Sequence, residues 1–262
     1  ELLATHEHNK GAKICVFLSP GWFEEDGTNI QAFIEFARPN FLKNIYNNNE
    51  IQLKYKKHIG QYIYSQRQNV ENISQDMNRF LEFSGVKSIG FLNDYFVNLY
   101  GLSNVQYKVE NCFMKPRKWN GDYDELARQL QTKFIDEITT NKLYVNDEYY
   151  KEFVLDKNGN ERSSQKVPID LVNNKEYADF KLLVDYISER KMDASFVMIP
   201  FNPYYYRNTE VYQPLMDSIN QTLARQKIPF YNLFAINKSS YEPGTLVDVM
   251  HLGDYGWMKV NT

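Results

Sequence analysis

An aspartate and a histidine three positions apart, near the carboxyl terminus, are the residues best suited to chemistry. The segment reads Asp248-Val-Met-His251-Leu-Gly-Asp-Tyr-Gly256-Trp257 and follows a Pro-Gly loop at 243–244. A carboxylate at this spacing can accept a hydrogen bond from one imidazole nitrogen and leave the other nitrogen free as a general base. The pair therefore predicts two members of a Ser-His-Asp triad. The competing interpretation is a helix-capping loop whose histidine bonds a backbone carbonyl.

Three short apolar runs predict the strands that would position this pair. They are 13–18, 194–199 and 229–234, and the first two stop at Pro20 and Pro200. Proline cannot donate to a strand ladder, so both strands end there. If the sheet is parallel, the loops 19–22, 202–206 and 248–251 leave its carboxyl edge, where α/β proteins bind ligands. We therefore expect these loops to converge.

Helical periodicity between and after the strands predicts an α/β fold. Apolar residues recur at three and four positions in 177–190 and 211–227. Residues 28–106 read as mostly helical, 123–140 as one amphipathic helix and 156–166 as a solvated loop. The prediction is a single domain over 1–262, with a parallel sheet flanked by helices. It has a largely helical or irregular insertion at about 28–174 and a carboxyl-terminal α/β unit at 175–262.

Composition limits the function classes. With 262 residues, of which 43% are hydrophobic, the chain can bury a substantial core. Its net charge of −3 gives no global basic field for nucleic acid or anionic lipid, so no nucleic-acid partner is expected. No run of 18 apolar residues occurs, and the chain begins as if cut from something longer. The closely spaced His6 and His8 lack a third ligand, and no metal site is predicted.

Three segments, in this order, resemble the DltD family of D-alanyl transfer proteins, which act on lipoteichoic acid. The first is the strand and loop Val16-Phe-Leu-Ser-Pro-Gly-Trp-Phe23. The second runs from Glu176-Tyr-Ala-Asp-Phe180 through a helix to Phe196-Val-Met-Ile-Pro-Phe-Asn-Pro-Tyr-Tyr205. The third is the closing Asp248-x-x-His251-Leu-Gly-x-x-Gly256-Trp257. The ordered set covers both ends of the chain and leaves about 28–170 weakly matched.

The resemblance implies an SGNH-hydrolase-like fold with a Ser, Asp, His triad at the extracellular face of the cell membrane. It also implies an N-terminal membrane anchor, absent from these residues, and a partnership with the carrier protein DltC, the membrane acyltransferase DltB and lipoteichoic acid. The family's nucleophile lies in a Gly-Ser-Ser type turn upstream of Leu18, and no such turn occurs in this sequence. Phe201, Pro203 and Gly21 also depart from the residues common in the family.

Candidate residues follow for each role in acyl transfer. His251 is the expected general base and Asp248 its orienting carboxylate. Ser19 lacks a nucleophile elbow and is expected to form a turn, while Gly21 and Trp22 would offer an oxyanion donor and an aromatic wall. Two further candidates line the presumed mouth. Asn202 either bonds substrate or forms a turn. Tyr205 belongs to an aromatic cluster that binds a phosphate-bearing polyol chain or an acidic carrier, or else has no partner.

The leading hypothesis is an extracytoplasmic serine-dependent acyl-transfer protein that moves or hydrolyses a D-alanyl ester or thioester. The serine is expected to lie outside these 262 residues. Such chemistry needs no metal and no cofactor. Two alternatives stay open: a non-catalytic docking module for the carrier protein or teichoic acid, and a carbohydrate esterase of SGNH type.

Overall fold

The computed structural model describes residues 10–24, 48–65 and 121–261, together with Leu3, His6 and Ile45. The chain forms two compact units. One comprises 1–12, 28–115 and 190–192, and the other comprises 13–27, 116–189 and 193–262. The second unit contains the strands and the Asp248–His251 segment. The single-domain organisation remains a prediction, and most of the expected helical insertion, 28–106, lies outside the described residues.

A parallel sheet forms the centre of the second unit. The strands among the described residues are β1 (Lys13–Leu18), β2 (Ser164–Gln165), β3 (Asp193–Met198), β4 (Tyr206–Arg207) and β5 (Phe230–Asn232). β1, β3 and β5 make one parallel sheet in the order β1-β3-β5, and β2 pairs in parallel with β4. The three predicted apolar strands therefore exist and share one sheet, which confirms the parallel α/β prediction.

The ends of β1 and β3 lie side by side. Leu18 is in register with Met198, and the ladder extends one step further through a 2.8 Å bond from Ile199 N to Leu18 O. Pro20 and Pro200 follow within two residues. Because proline has no N–H, strand pairing cannot continue past these positions. The segments after β1 and β3 therefore leave the sheet at the same edge.

Helices cover both faces of the sheet. Among the described residues of the second unit, the α-helices are α2 (Tyr123–Lys133), α3 (Asp147–Tyr149), α4 (Lys175–Glu189), α5 (Gln213–Arg225) and α6 (Asp254–Asn261). Phe180 on α4 meets Phe196 of β3 edge to face, with ring centroids 5.8 Å apart. Phe17 of β1 points to the opposite face, since it is in register with Val197, and it meets Trp257 of α6 at 5.3 Å.

The helix bounds differ from the predicted ones mainly at their ends. The helix expected at 177–190 spans Lys175–Glu189, and the one expected at 211–227 begins as a 3-10 turn, Thr209–Tyr212, before α5. The helix expected at 123–140 is α-helical to Lys133 and continues as a π turn, Phe134–Ile138. Apolar spacing locates the buried stripe, but it does not distinguish these helix types in a final turn.

The other unit contributes α1 (Leu53–Ser65), which buries Tyr55. Within this unit Arg190 donates to the backbone oxygen of His6 at 2.7 Å, and His6 Nε2 lies 3.4 Å from a Glu50 carboxylate oxygen. In the described part of the chain, none of the helices combines the length and apolar character needed to cross a bilayer.

Candidate active site

The loops that leave the sheet edge contact one another. Asn202 N, after β3, donates to Val249 O at 3.0 Å, which joins the second loop to the Asp248–His251 segment. The side chain of Phe201 packs against Gly21 in the first loop, because a Cβ added there would lie 3.2 Å from Phe201 Cζ. Asn146 N, just before α3, donates to Val247 O at 2.8 Å. The structure thus places four chain segments around this site.

Asp248 and His251 form the hydrogen-bonded pair expected of a triad. Asp248 Oδ2 lies 2.7 Å from His251 Nδ1. Asp248 Oδ1 accepts from the backbone N–H groups of Met250 at 2.8 Å and His251 at 2.7 Å. The carboxylate is 15% exposed, whereas the imidazole is 72% exposed. The acid is therefore fixed by the backbone, and the ring is oriented through Nδ1 with its other nitrogen on the accessible side.

Glycines in the closing segment let this loop pack tightly against α6. Val247 N donates to His251 O at 2.9 Å, and Gly253 N donates to Thr245 O at 3.0 Å. A Cβ on Gly256 would overlap the carbonyl oxygen of Thr245, and one on Gly253 would lie 2.9 Å from Gly244 O. Both glycines allow backbones to approach more closely than a side chain permits. The close packing that Gly253 and Gly256 allow thus fixes the loop that carries Asp248 and His251.

Ser19, Gly21 and Trp22 form a compact turn after β1. Pro20–Phe23 is a 3-10 turn, and Ser19 caps it with its side chain. Gly21 N donates to Ser19 Oγ at a long 3.4 Å, while Trp22 N donates to Ser19 O at 3.1 Å. Ser19 is thus in the turn-forming geometry expected from its sequence. The Trp22 ring is 56% exposed, and the weakly bonded Gly21 N–H is the better of the two oxyanion candidates.

Asn202 is buried completely, and both ends of its amide bond the backbone. Its Nδ2 donates to Leu143 O at 2.7 Å, and its Oδ1 accepts from Tyr204 N at 2.9 Å. Of its two possible roles, this geometry supports the turn-forming one. The residue ties the loop after β3 to the segment before α3.

Two tyrosines near the Asp248 segment have raised pKa values. Burial raises the pKa of Tyr149, on α3, and the negative charge of Asp248 adds to that shift. Burial likewise raises the pKa of Tyr206, and Tyr205, Tyr149, Glu24 and Asp248 contribute in the same direction. Tyr149 and Tyr206 therefore stay neutral at physiological pH; Tyr149 is half-buried and Tyr206 is buried. Tyr205 is half-buried at this rim.

Tyr149 was not predicted as a site residue, because it lies in a polar segment without periodicity. Its ring lies 5.1 Å from that of Phe153, which is 53% exposed, so together they form an aromatic surface near the pair. The only sequence signal is Asn146, which caps α3 by accepting from Glu148 N and Tyr149 N.

A second unpredicted feature is an ion pair beside the turn after β1, between the buried Lys166 and the partly exposed Glu24. Lys166 Nζ lies 2.7 Å and 2.9 Å from the two carboxylate oxygens of Glu24. Tyr212 donates to the same carboxylate. The ammonium lies 4.5 Å from the ring centroid of Phe201 and 4.2 Å from that of Tyr206. Lys166 comes from a loop that reads in sequence as solvated, so nothing marks it as buried.

The described side chains include no group of three or more His, Cys, Asp or Glu residues arranged to hold a metal ion. In chemical terms, the site consists of an oriented imidazole, one exposed indole and several neutral phenols.

The fold and the pair define an α/β protein with an aspartate-supported histidine at the carboxyl edge of a parallel sheet. The family model described as DltD protein matches residues 1–262, the whole chain. This chain therefore belongs to the DltD family. Membership indicates a part in the D-alanylation of teichoic acid, a process of the cell envelope. No curated protein matches the chain significantly.

Proposed function

We propose that this chain provides the acid–base machinery of a serine-dependent acyl transfer that places or removes D-alanyl groups on lipoteichoic acid. One observation carries the proposal: the 2.7 Å contact between Asp248 Oδ2 and His251 Nδ1, with the imidazole largely exposed. A histidine that only capped a loop would use its ring to bond a backbone carbonyl. In this site the ring is bonded to a carboxylate, which is the arrangement of a general base.

The proposed reaction proceeds in two balanced steps. A serine Oγ attacks the carbonyl carbon of the D-alanyl ester or thioester, and its proton passes to His251 Nε2. The tetrahedral intermediate collapses, and the leaving oxygen or sulfur takes that proton from the imidazolium. An acceptor hydroxyl, or water, then attacks the acyl-serine while His251 again takes and returns the proton. Asp248 stabilises the imidazolium in both steps.

The other residues of the site have supporting roles in this proposal. The Gly21 N–H exchanges its long bond to Ser19 Oγ for a bond to the oxyanion, and Trp22 forms a wall for the acyl substituent. The half-buried Tyr205 and Tyr149 donate hydrogen bonds to the polyol phosphate chain. Asn202 holds the loop that carries Tyr205 through its bond to Leu143 O.

The family resemblance supplies the remaining parts of the proposal. The fold is SGNH-hydrolase-like, the serine comes from a turn upstream of Leu18 in the family pattern, and an N-terminal anchor holds the protein at the extracellular face of the membrane. DltC and DltB are the proposed partners, and lipoteichoic acid is the acceptor. Neither a metal nor a cofactor takes part in the proposed steps.

The cellular test replaces His251 in the natural gene and measures ester-linked D-alanine in teichoic acid. We expect His251→Gln to reduce incorporation to the level of a deletion strain at unchanged protein abundance. His58→Gln, an imidazole of the other unit, is the matched control and should leave incorporation unchanged. Wild-type incorporation with His251→Gln would contradict the proposal and favour a docking module in which the Asp–His pair is inactive.

A further inference from the structure

Lys166 is buried beside the proposed oxyanion turn, where it forms an ion pair with the partly exposed side chain of Glu24. The side chains of Lys166 and Glu24 are 9% and 26% exposed. A buried ion pair is weak evidence for stability, because desolvating two charges offsets most of their attraction. Apolar residues of similar volume would stabilise the fold as well. A role in positioning the neighbouring turn therefore explains this ion pair better than a contribution to stability.

The contacts of Lys166 connect the segments that meet at this turn. Its backbone N donates to Arg207 O at 2.9 Å, so it extends the pairing of β2 with β4. Its ammonium holds the Glu24 carboxylate, and Glu24 N closes the 3-10 turn through a 3.4 Å bond to Gly21 O. The same ammonium lies over Phe201, whose Cζ packs against Gly21. Gly21 is thus restrained from two directions by one cation.

The Lys166 ammonium is also linked to the loop that carries the Asp248–His251 pair, because it lies over Phe201, and the neighbouring Asn202 N donates to Val249 O at 3.0 Å. Tyr206, under the Lys166 ammonium, lies near enough to both Glu24 and Asp248 for both carboxylates to raise its pKa. A displacement of Lys166 would therefore disturb the turn after β1, and Phe201 connects that ammonium to the loop that meets Val249.

We propose that Lys166 is a positioning residue that, through Glu24 and Phe201, holds the Pro20–Phe23 turn so that Gly21 N–H and Trp22 face the acyl group. This inference rests on the proposed function for its chemical consequence. Its structural part, the restraint of the turn, stands on the contacts alone and is measured separately.

The structural measurement uses fluorine NMR of the full-length protein labelled with 5-fluorotryptophan. Residues 1–262 include three tryptophans, Trp22, Trp119 and Trp257, and Trp22→Phe identifies the Trp22 resonance. Lys166→Met should shift, broaden or split the Trp22 resonance and leave that of Trp257 unchanged. Lys259→Met is the matched control and should leave the Trp22 resonance unchanged. Lys259 also forms an ion pair with a carboxylate that accepts from a tyrosine, at 2.9 Å from Glu242, which accepts from Tyr255. An unchanged Trp22 resonance in Lys166→Met overturns the inference.

The chemical measurement follows the labelling of full-length protein by a fluorophosphonate probe. Lys166→Met should lower the labelling rate at saturating probe by about tenfold or more, with a much smaller change in the probe concentration for half saturation. The double variant Glu24→Gln/Lys166→Met removes both charges, so it leaves no unpaired carboxylate and keeps the fold. We expect it to retain both the slow labelling and the altered Trp22 resonance.

Recovery of the wild-type rate in the double variant would overturn the inference, because the defect would then come from an unpaired charge. A mobile Trp22 with wild-type labelling would overturn it as well. If the wild-type protein is not labelled at all, the proposed function fails, and the Trp22 resonance still decides whether Lys166 holds the turn.

Discussion

Asn202 shows how a polar residue beside a reaction centre can act through the backbone. It is fully buried, and its amide satisfies Leu143 O and Tyr204 N at 2.7 Å and 2.9 Å. A buried donor or acceptor that loses its partner costs free energy, because water cannot replace the lost bond. Asn202 therefore contributes to the stability of the loop that carries Tyr205.

Replacing Asn202 should affect folding before it affects chemistry. We expect Asn202→Ala to lower the free energy of unfolding by about 2 kcal/mol, measured by urea denaturation. Asn232→Ala is the matched control, because Asn232 makes a similar turn bond to Phe234 N at 3.0 Å but is exposed. A stable Asn202→Ala protein with a specific loss of activity would assign Asn202 to substrate binding instead.

Glu242 makes a contribution to the stability of the fold that depends on pH. The hydrogen bond from Tyr255 and the nearby Lys259 hold the pKa of Glu242 below its ordinary 4.5, against the opposing effect of partial burial. A carboxyl group with a lowered folded-state pKa stabilises the fold above its ordinary pKa, and this contribution is lost as the pH falls through the lowered value. The side chain is 50% exposed, so solvent screening keeps the contribution small.

We therefore expect Glu242→Gln to lower the urea midpoint slightly at about pH 7, and we expect the difference from wild type to shrink at a pH well below 4.5, the ordinary pKa of the group. Parallel denaturation curves at both pH values check this. A difference that persists unchanged at the lower pH would show that Glu242 acts through packing and not through its charge.

The closing segment and α6 behave as one element. Gly253 N bonds Thr245 O at 3.0 Å, and Trp257 N bonds Gly253 O at 2.9 Å. Because a side chain on Gly256 would meet the Thr245 carbonyl, α6 can approach the loop only with glycine at that position. The position of the Asp248–His251 pair therefore depends on the seating of this helix.

Gly256→Ala should displace α6 and destabilise the protein by about 1–3 kcal/mol, as overpacking does elsewhere. Thermal unfolding followed by circular dichroism measures the change. Gly159→Asn is a suitable control, since Gly159 has φ +79° and nothing within 4 Å, and asparagine tolerates that conformation. Full stability in Gly256→Ala would show that the loop and helix adjust without cost.

In the sheet of the second unit, backbone amides of the central strand should be the best protected from hydrogen exchange. β3 pairs with β1 on one side and β5 on the other, and Phe196, Val197 and Met198 are almost completely buried. We expect amide hydrogen exchange of 196–198 to be slower than that of 230–232 in β5. Peptide-level exchange measured by mass spectrometry checks this order. Faster exchange in β3 would contradict the assigned strand order.

The sequence predicts the sheet because its signals are local. Apolar runs that stop at Pro20 and Pro200, and helical spacing in 177–190, reflect local chain preferences and burial, and the structure confirms them. The Asp248–His251 pairing follows from short-range geometry for the same reason. Lys166 and Tyr149 could not be predicted, because their environment comes from contacts with distant segments, such as Glu24 with Lys166. Polar residues in irregular segments carry no periodic signal of burial.

The most direct measurement is the rate at which a fluorophosphonate probe labels a serine of the complete natural protein, compared between wild type and His251→Gln. The account predicts a single labelled serine, located by peptide mass spectrometry, and a rate that falls by about a hundredfold or more in His251→Gln while the melting temperature is unchanged. His58→Gln should label at the wild-type rate. Labelling of His251→Gln at the wild-type rate, or no labelled serine in a folded wild-type protein, would contradict the account.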